Sequence, residues 1–195
     1  MTVKTTAILI PVFNGLDFTK NCLNSLYGIF HNLGAQAGQF IVVVIDDGST
    51  DGTREWIEQH YQDTVVLTGD GNLWWSGGIN KGIVYALQTL QCDYTLWWNN
   101  DIHCSHDYFI NLLSIIDTLP ESTIVGSKIY FAGNQNTIWS MGGKFNPRNG
   151  EKNITGMFDT DKDTYSQITE AEWLPGMGTL IHHTVYENIG MLNNI

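Results

Sequence analysis

Two groups of acidic residues could do chemistry in this chain. Asp46 and Asp47 stand side by side before the turn segment 48–53, and Asp101 follows two asparagines. Carboxylate oxygens bind Mg²⁺ and Mn²⁺ and accept hydrogen bonds from ligands. An acid pair at a turn can equally serve only to satisfy backbone amides, so the pair needs support from the rest of the sequence.

The residues before each acidic group predict buried β-strands. Phe40–Ile45 is a continuous apolar run, mostly β-branched, which is typical of a strand covered on both faces of a parallel sheet. The runs 6–12 and 93–98 have the same character. Open α/β sheets bind ligands at the carboxyl ends of their strands. We therefore expect one sheet edge to carry Phe13, Asp47 and Asp101.

The segment 69–82 is rich in glycine. Glycines let backbone amides approach a ligand closely, and a helix N-terminus favours phosphate oxygens. We expect a helix that begins near Ile79, and the segment matches neither a P-loop nor a Gly-x-Gly-x-x-Gly fingerprint. Trp75 is the candidate for ligand contact in this segment, although large aromatic side chains more often pack in a core.

The later part of the chain carries weaker patterns. Residues 122–131 predict one further strand, and 134–163 predict hairpins and loops. His103, Cys104 and His106 are too close in sequence to form a zinc site, so we expect exposed histidines there. We expect His182 and His183 to be surface residues as well.

The composition restricts the function further. The chain has 195 residues, a formal net charge of −11 and only 9 Lys and Arg residues, which argues against a broad nucleic-acid footprint. A diphosphate ligand would then need a divalent metal to neutralise its charge. Three cysteines without a Cys-x-x-Cys spacing argue against a disulfide scaffold. With no signal peptide or transmembrane run apparent, we expect a cytoplasmic protein.

The run Asp46–Thr53 after a buried strand resembles the signature of the inverting family 2 glycosyltransferases. The glycine-rich segment 69–82 is similar to the corresponding segment of the bacterial rhamnosyltransferase-like members. The resemblance implies a GT-A fold: a three-layer α/β/α arrangement with a mostly parallel central sheet. It also implies sugar transfer from a nucleotide-diphosphate donor, a UDP- or dTDP-sugar, to a glycan or lipid-linked acceptor in polysaccharide biosynthesis. A divalent metal, Mn²⁺ or Mg²⁺, would assist the reaction.

The same resemblance implies the site residues. Pro11 and Phe13 would line the nucleobase pocket, Asp47 would hydrogen-bond the base, and Asp101 would bind the metal. The full donor-binding set that we expect is Pro11, Phe13, Asn14, Asp46, Asp47, Asn72, Trp75, Asn80 and Asn100. Three positions depart from the family pattern: Ile79 stands where many relatives carry arginine, and Asn99 and Asn100 stand where many carry acids.

The expected catalytic base of the family lies just beyond the segment that matches the end of this chain. We therefore expect a single GT-A domain that is truncated, with a donor-binding half over about 1–120 and an incomplete acceptor-side half over about 121–195. A missing region would then carry the base and any membrane association. Glu170 and Glu172 are the candidates within the chain.

Two other functions are compatible with these patterns. A nucleotidyltransferase that makes sugar nucleotides has a similar core, but such enzymes usually open with a basic, glycine-rich phosphate loop, and residues 10–15 contain no cation. A non-catalytic carbohydrate- or partner-binding module is the other alternative, and it would bind no nucleotide.

Overall fold

The computed structural model describes residues 4–116 and 118–193, apart from the side chains of residues 37, 38 and 135. The helices are α1 (Leu16–Leu33), α2 (Thr53–His60), α3 (Trp74–Gln88), α4 (Tyr108–Ile116) and α5 (His183–Ile189). The strands are β1 (Thr6–Val12), β2 (Phe40–Asp46), β3 (Val65–Thr68), β4 (Tyr94–Trp97), β5 (Ile124–Gly126), β6 (Ile129–Phe131), β7 (Asn134–Ser140), β8 (Gly143–Asn146), β9 (Glu151–Ile154) and β10 (Thr179–His182).

The chain divides into two compact units. The first runs to Ile124 and resumes at Ile181, and the second is Val125–Leu180. The expected division near residue 120 lies close to the first boundary, but the residues from 181 onward cluster with the first unit. None of the helices within the described residues is both long and apolar enough to cross a membrane.

The first unit is built on a mostly parallel sheet. The sheet has six strands in the order β3-β2-β1-β4-β10-β5, and β1 pairs in parallel with both β2 and β4. Because β1 and β2 are covered on both faces, nearly every residue in them is buried. The continuous apolar runs in the sequence follow from this double coverage.

Helices cover both faces of the sheet. On one face, Ile79 and Ile83 of α3 and Val185 of α5 pack in a core that also contains Leu9 and Ile45. On the other face, the rings of Phe30 (α1), Phe40 (β2) and Phe109 (α4) pack together, with centroids 4.8–5.8 Å apart. This confirms the predicted three-layer α/β/α architecture.

The second unit contains two antiparallel hairpins, β6–β7 and β8–β9. Within it, Lys128 donates two hydrogen bonds to the Asp161 carboxylate, at 2.9 and 2.8 Å. The single strand expected over 122–131 is wrong, since β5 and β6 are separated by Ser127 and Lys128. The side chains of both residues make polar contacts, Ser127 with the carbonyl of Gly178 and Lys128 with Asp161.

Two local predictions in the first unit are also wrong. Helix α3 begins at Trp74 and not near Ile79. Gly77 and Gly78 are buried within its first turns, and a Cβ on Gly78 would lie only 3.0 Å from Pro11 Cβ, so a glycine there lets the helix pack closely on β1. His182 is a core residue with 3% exposure, at the end of β10 and edge-on to Tyr94. Burial lowers the pKa of His182.

The close packing of α3 on the sheet leads to a prediction with an internal control. A Cβ at Gly82 would lie 3.0 Å from Ile45 Cδ1 and 3.1 Å from Leu9 Cδ2, whereas a Cβ at Gly28 in α1 would meet nothing within 4 Å. Both substitutions favour helix formation, so we expect Gly28→Ala to stabilise the protein by about 0.5–1 kcal/mol. Gly82→Ala should destabilise it by about 1–3 kcal/mol through overpacking. Chemical denaturation measures both, and equal shifts for the two variants would contradict the packing argument.

Candidate functional site

The carboxyl edge of the sheet carries the residues that follow β1, β2 and β4. Strands β2, β1 and β4 are adjacent, with Val12 paired to Asp46 and Leu9 paired to Trp97. The Asp47 amide donates to the Val12 carbonyl at 2.9 Å, so the chain just beyond β2 still lies beside the end of β1. Phe13, Asp47 and Asp101 therefore follow three neighbouring parallel strands, as the sequence pattern predicts.

Asp47 organises the turn between β3 and α3. Its Oδ1 accepts a hydrogen bond from the amide of Gly71 at 2.8 Å, and its Oδ2 accepts from Leu73 at 2.9 Å and Trp74 at 3.2 Å. The side chain is 8% exposed, and hydrogen bonds to an ionised acceptor are the strong ones. A carboxylate has about four lone-pair sites, so these three bonds leave room for one more donor.

Asp46 serves the next turn of the chain. Its side chain is buried, with Oδ1 accepting from the amide of Ser49 at 2.9 Å and Oδ2 lying 3.8 Å from Arg54 Nε. These contacts correspond to the alternative in which an acid at a strand end satisfies local backbone amides. The two neighbouring aspartates thus point to different partners, one in the following turn and one in the turn before α3.

Asn14 joins the loop after β1 to the loop after β2. Its side-chain Oδ1 accepts a hydrogen bond from the backbone amide of Thr50 at 2.8 Å, and its backbone amide donates to Ser49 Oγ at 2.9 Å. Asn14 has a φ of 47°, a conformation that asparagine tolerates better than most residues. Beside it, Phe13 is 59% exposed, whereas Pro11 is half-buried beneath α3.

The two asparagines of the glycine-rich segment lie in different environments. Asn72 is exposed ahead of α3. Asn80 is 8% exposed, and its side-chain amide donates to the Leu192 carbonyl at 2.7 Å and accepts from the Leu192 amide at 3.1 Å. Asn80 therefore fastens the segment after α5 to α3, a role that the sequence did not indicate because the partner is 112 positions away.

The two asparagines after β4 are hydrogen-bonded to residues of neighbouring helices, Asn99 to Trp75 of α3 and Asn100 to Thr19 of α1. The half-buried Trp75 indole donates to Asn99 Oδ1 at 3.0 Å and packs edge-to-face on Trp97. Asn100 Nδ2 donates to Thr19 Oγ1 at 3.0 Å. These contacts hold the start of α3, the start of α1 and the end of β4 together, and Asp101 lies exposed just beyond them.

The residues at this edge fit a metal ion that is bound partly by the ligand and not by the protein alone. Within the described part of the chain, no group of three or more His, Cys, Asp or Glu side chains could hold a metal. Mg²⁺-type sites need only one or two protein carboxylates when substrate phosphates complete the coordination. The exposed Asp101 fits a cation that binds together with a diphosphate, and not a preformed cage.

The cysteines near this region are unsuited to metal binding or nucleophilic chemistry. Burial raises the pKa of both Cys22 and Cys104 to about 12, so neither supplies a thiolate near neutral pH. His103 and His106 are exposed, as predicted.

The role of Asp47 as a turn organiser can be tested by comparison with Asp101. In Asp47→Asn, the amide keeps one acceptor oxygen but turns an N–H₂ group toward backbone donors. We expect the free energy of unfolding to fall by about 1–3 kcal/mol in urea denaturation. Asp101→Asn, at an exposed position, should change it by less than about 0.5 kcal/mol. Equal effects of the two variants would disprove this role.

Solved structures resemble this chain over nearly its whole length. A mannosyltransferase from Pyrobaculum calidifontis in complex with GDP-Man and Mn²⁺ matches with a TM-score of 0.64 at 15% identity, over 98% of this chain and 48% of its own. S. aureus TarS 1–349 in complex with UDP-GlcNAc matches with a TM-score of 0.63 at 14% identity, over 94% and 47%. These likenesses confirm the GT-A fold.

Sequence comparison identifies the family. An uncharacterized glycosyltransferase of Rickettsia conorii is 29% identical over 97 residues, which are 49% of this chain and 14% of that protein. The chain spans less than half the length of each of these three relatives. The model of "Glycosyl transferase family 2" matches residues 7–171, which is most of the chain. The chain therefore belongs to glycosyl transferase family 2.

Proposed function

We propose that the first unit binds a nucleoside-diphosphate sugar across the carboxyl edge of its sheet, and that the protein transfers the sugar to a glycan or lipid-linked acceptor with inversion. The observation that carries this proposal is the delivery of Phe13, Asp47 and Asp101 to one edge by three adjacent strands. The structural neighbours solved in complex with GDP-Man and UDP-GlcNAc support a nucleotide-sugar donor. Family membership argues against the nucleotidyltransferase alternative.

The proposed donor site has an order along the edge. The nucleobase would lie near Pro11, Phe13 and Asp47, and the diphosphate would lie toward Asp101. A Mn²⁺ or Mg²⁺ ion held by Asp101 and the diphosphate would supply positive charge for the departing nucleotide. The metal matters more in this chain because Ile79, at the position where many relatives carry arginine, is fully buried in the core.

Glu172 makes a structural contact in the second unit. Its Oε2 accepts a hydrogen bond from the Phe145 amide at 2.7 Å, within β8 of the β8–β9 hairpin. A general base needs a carboxylate that is within reach of the acceptor hydroxyl. We therefore propose that Glu172, whose carboxylate is already bonded to the backbone of β8, holds the hairpin and does not act as the base.

Nucleotide titration tests the donor site directly. Calorimetry with UDP, dTDP and GDP, each with and without Mn²⁺, should show binding of at least one nucleotide that Mn²⁺ strengthens. Asp101→Ala should weaken the Mn²⁺-dependent binding by at least about tenfold, since it removes the proposed metal ligand.

Asp63→Ala is the matched control, because this exposed acid precedes β3 at the opposite edge of the sheet. It should bind nucleotide like the unchanged protein. If no nucleotide binds with or without Mn²⁺, the proposal is wrong and a non-catalytic module becomes the better interpretation. If Asp101→Ala binds normally, the metal assignment alone is wrong.

A further inference from the structure

Trp74 combines two costly features at the candidate site. The residue is 82% exposed, the highest value among the exposed large apolar side chains of the described residues. It also has a φ of 54°, which is unfavourable for a bulky side chain. Strained backbone and exposed aromatic surface both occur preferentially at ligand-binding sites.

The internal packing of the protein does not account for the position of this indole. Within the residues described, no hydrogen bond or ring contact joins the Trp74 side chain to another group, whereas the neighbouring Trp75 packs on Trp97 and donates to Asn99. The Trp74 backbone, in contrast, is fixed, because its amide donates to Asp47 Oδ2. The Asp47 carboxylate thus holds the strained turn from which the indole projects into solvent.

The sheet order indicates which part of a nucleotide would meet this indole. Trp74 is bonded to Asp47 beyond β2, whereas Asp101 follows β4, and β1 lies between them. Two strand spacings separate β2 from β4, which is about 10 Å. If the diphosphate and its cation lie at Asp101, Trp74 lies toward the opposite end of the nucleotide, where the base would be.

A second exposed aromatic residue lies close to the same aspartate. Phe13 is 59% exposed and follows Val12, whose carbonyl accepts the Asp47 amide. Asp47 is therefore linked by its backbone to the residue before Phe13 and by its side chain to Trp74. Exposed aromatic faces are the surfaces on which nucleobases stack.

We infer that the Trp74 indole stacks on the nucleobase of the bound donor nucleotide, and that Asp47 acts as the positioning residue for this indole. This inference rests on the proposed function. It assigns the ligand contact to Trp74 and gives Trp75 a packing role, in contrast to the expectation from sequence that Trp75 touches the donor.

Substitution by glycine separates stacking from folding. Trp74→Gly removes the ring and at the same time permits the positive φ without strain, so its melting temperature should equal or exceed that of the unchanged protein. Its affinity for the nucleotide that binds best in the presence of Mn²⁺ should fall about tenfold or more. Trp74→Phe, which keeps an aromatic face, should recover most of that affinity.

Phe158→Gly is the matched control. Phe158 is also an exposed aromatic residue with a positive φ, 71% exposed and at 67°, but it belongs to the second unit. The Phe158→Gly substitution should leave nucleotide affinity unchanged. Nucleotide should also quench the tryptophan fluorescence of the unchanged protein, and most of that quenching should be absent in Trp74→Gly.

The outcomes distinguish this inference from the proposed function. Unchanged protein that binds no nucleotide overturns both. Nucleotide binding that persists at full strength in Trp74→Gly overturns the inference and leaves the proposed donor site intact. A loss of affinity for UDP-GlcNAc or GDP-Man without a loss for UDP or GDP would show that the indole contacts the sugar, and would also overturn the inference.

Discussion

The buried Asp47 carboxylate is the interaction on which the sheet edge depends. This carboxylate accepts hydrogen bonds from three backbone N–H groups, those of Gly71, Leu73 and Trp74, around the start of α3. The backbone amide of Asp47 donates to the Val12 carbonyl at the end of β1. The charge is compensated by amide donors and not by a cation, in keeping with a chain that has few basic residues. Gly69 makes this possible, since a Cβ there would collide with the carboxylate.

Close packing of α3 on the sheet fixes the position of Trp74 and Trp75 at the N-terminal end of the helix. Gly78 lets the helix approach Pro11, and Gly82 lets it approach Leu9 and Ile45. These two glycines are used for helix–sheet contact, whereas the sequence predicted that glycines in this segment let backbone amides approach a ligand. The same approach buries Ile79, so α3 contributes an apolar face and not a cation beneath the candidate site.

The parallel sheet, and the edge of it that carries the candidate site, could be predicted from the sequence. Continuous apolar runs identify strands that are buried on both faces, and the acids that end them must lie at the carboxyl edge of a parallel sheet. Features that depend on a residue far away in the sequence could not be predicted. The start of α3, the burial of His182 and the bond between Asn80 and Leu192 all depend on tertiary contacts that local periodicity does not encode.

The paired bonds between Asn80 and Leu192 have a mechanical consequence. The side-chain amide offers a donor and an acceptor to one peptide unit, much as a neighbouring strand would, and it does so near the middle of α3. The helix is thereby tethered at Asp47 through its first turn and at Leu192 through its centre. Loss of this pair of bonds would release the segment after α5 from the centre of the helix and leave the bonds at its first turn in place.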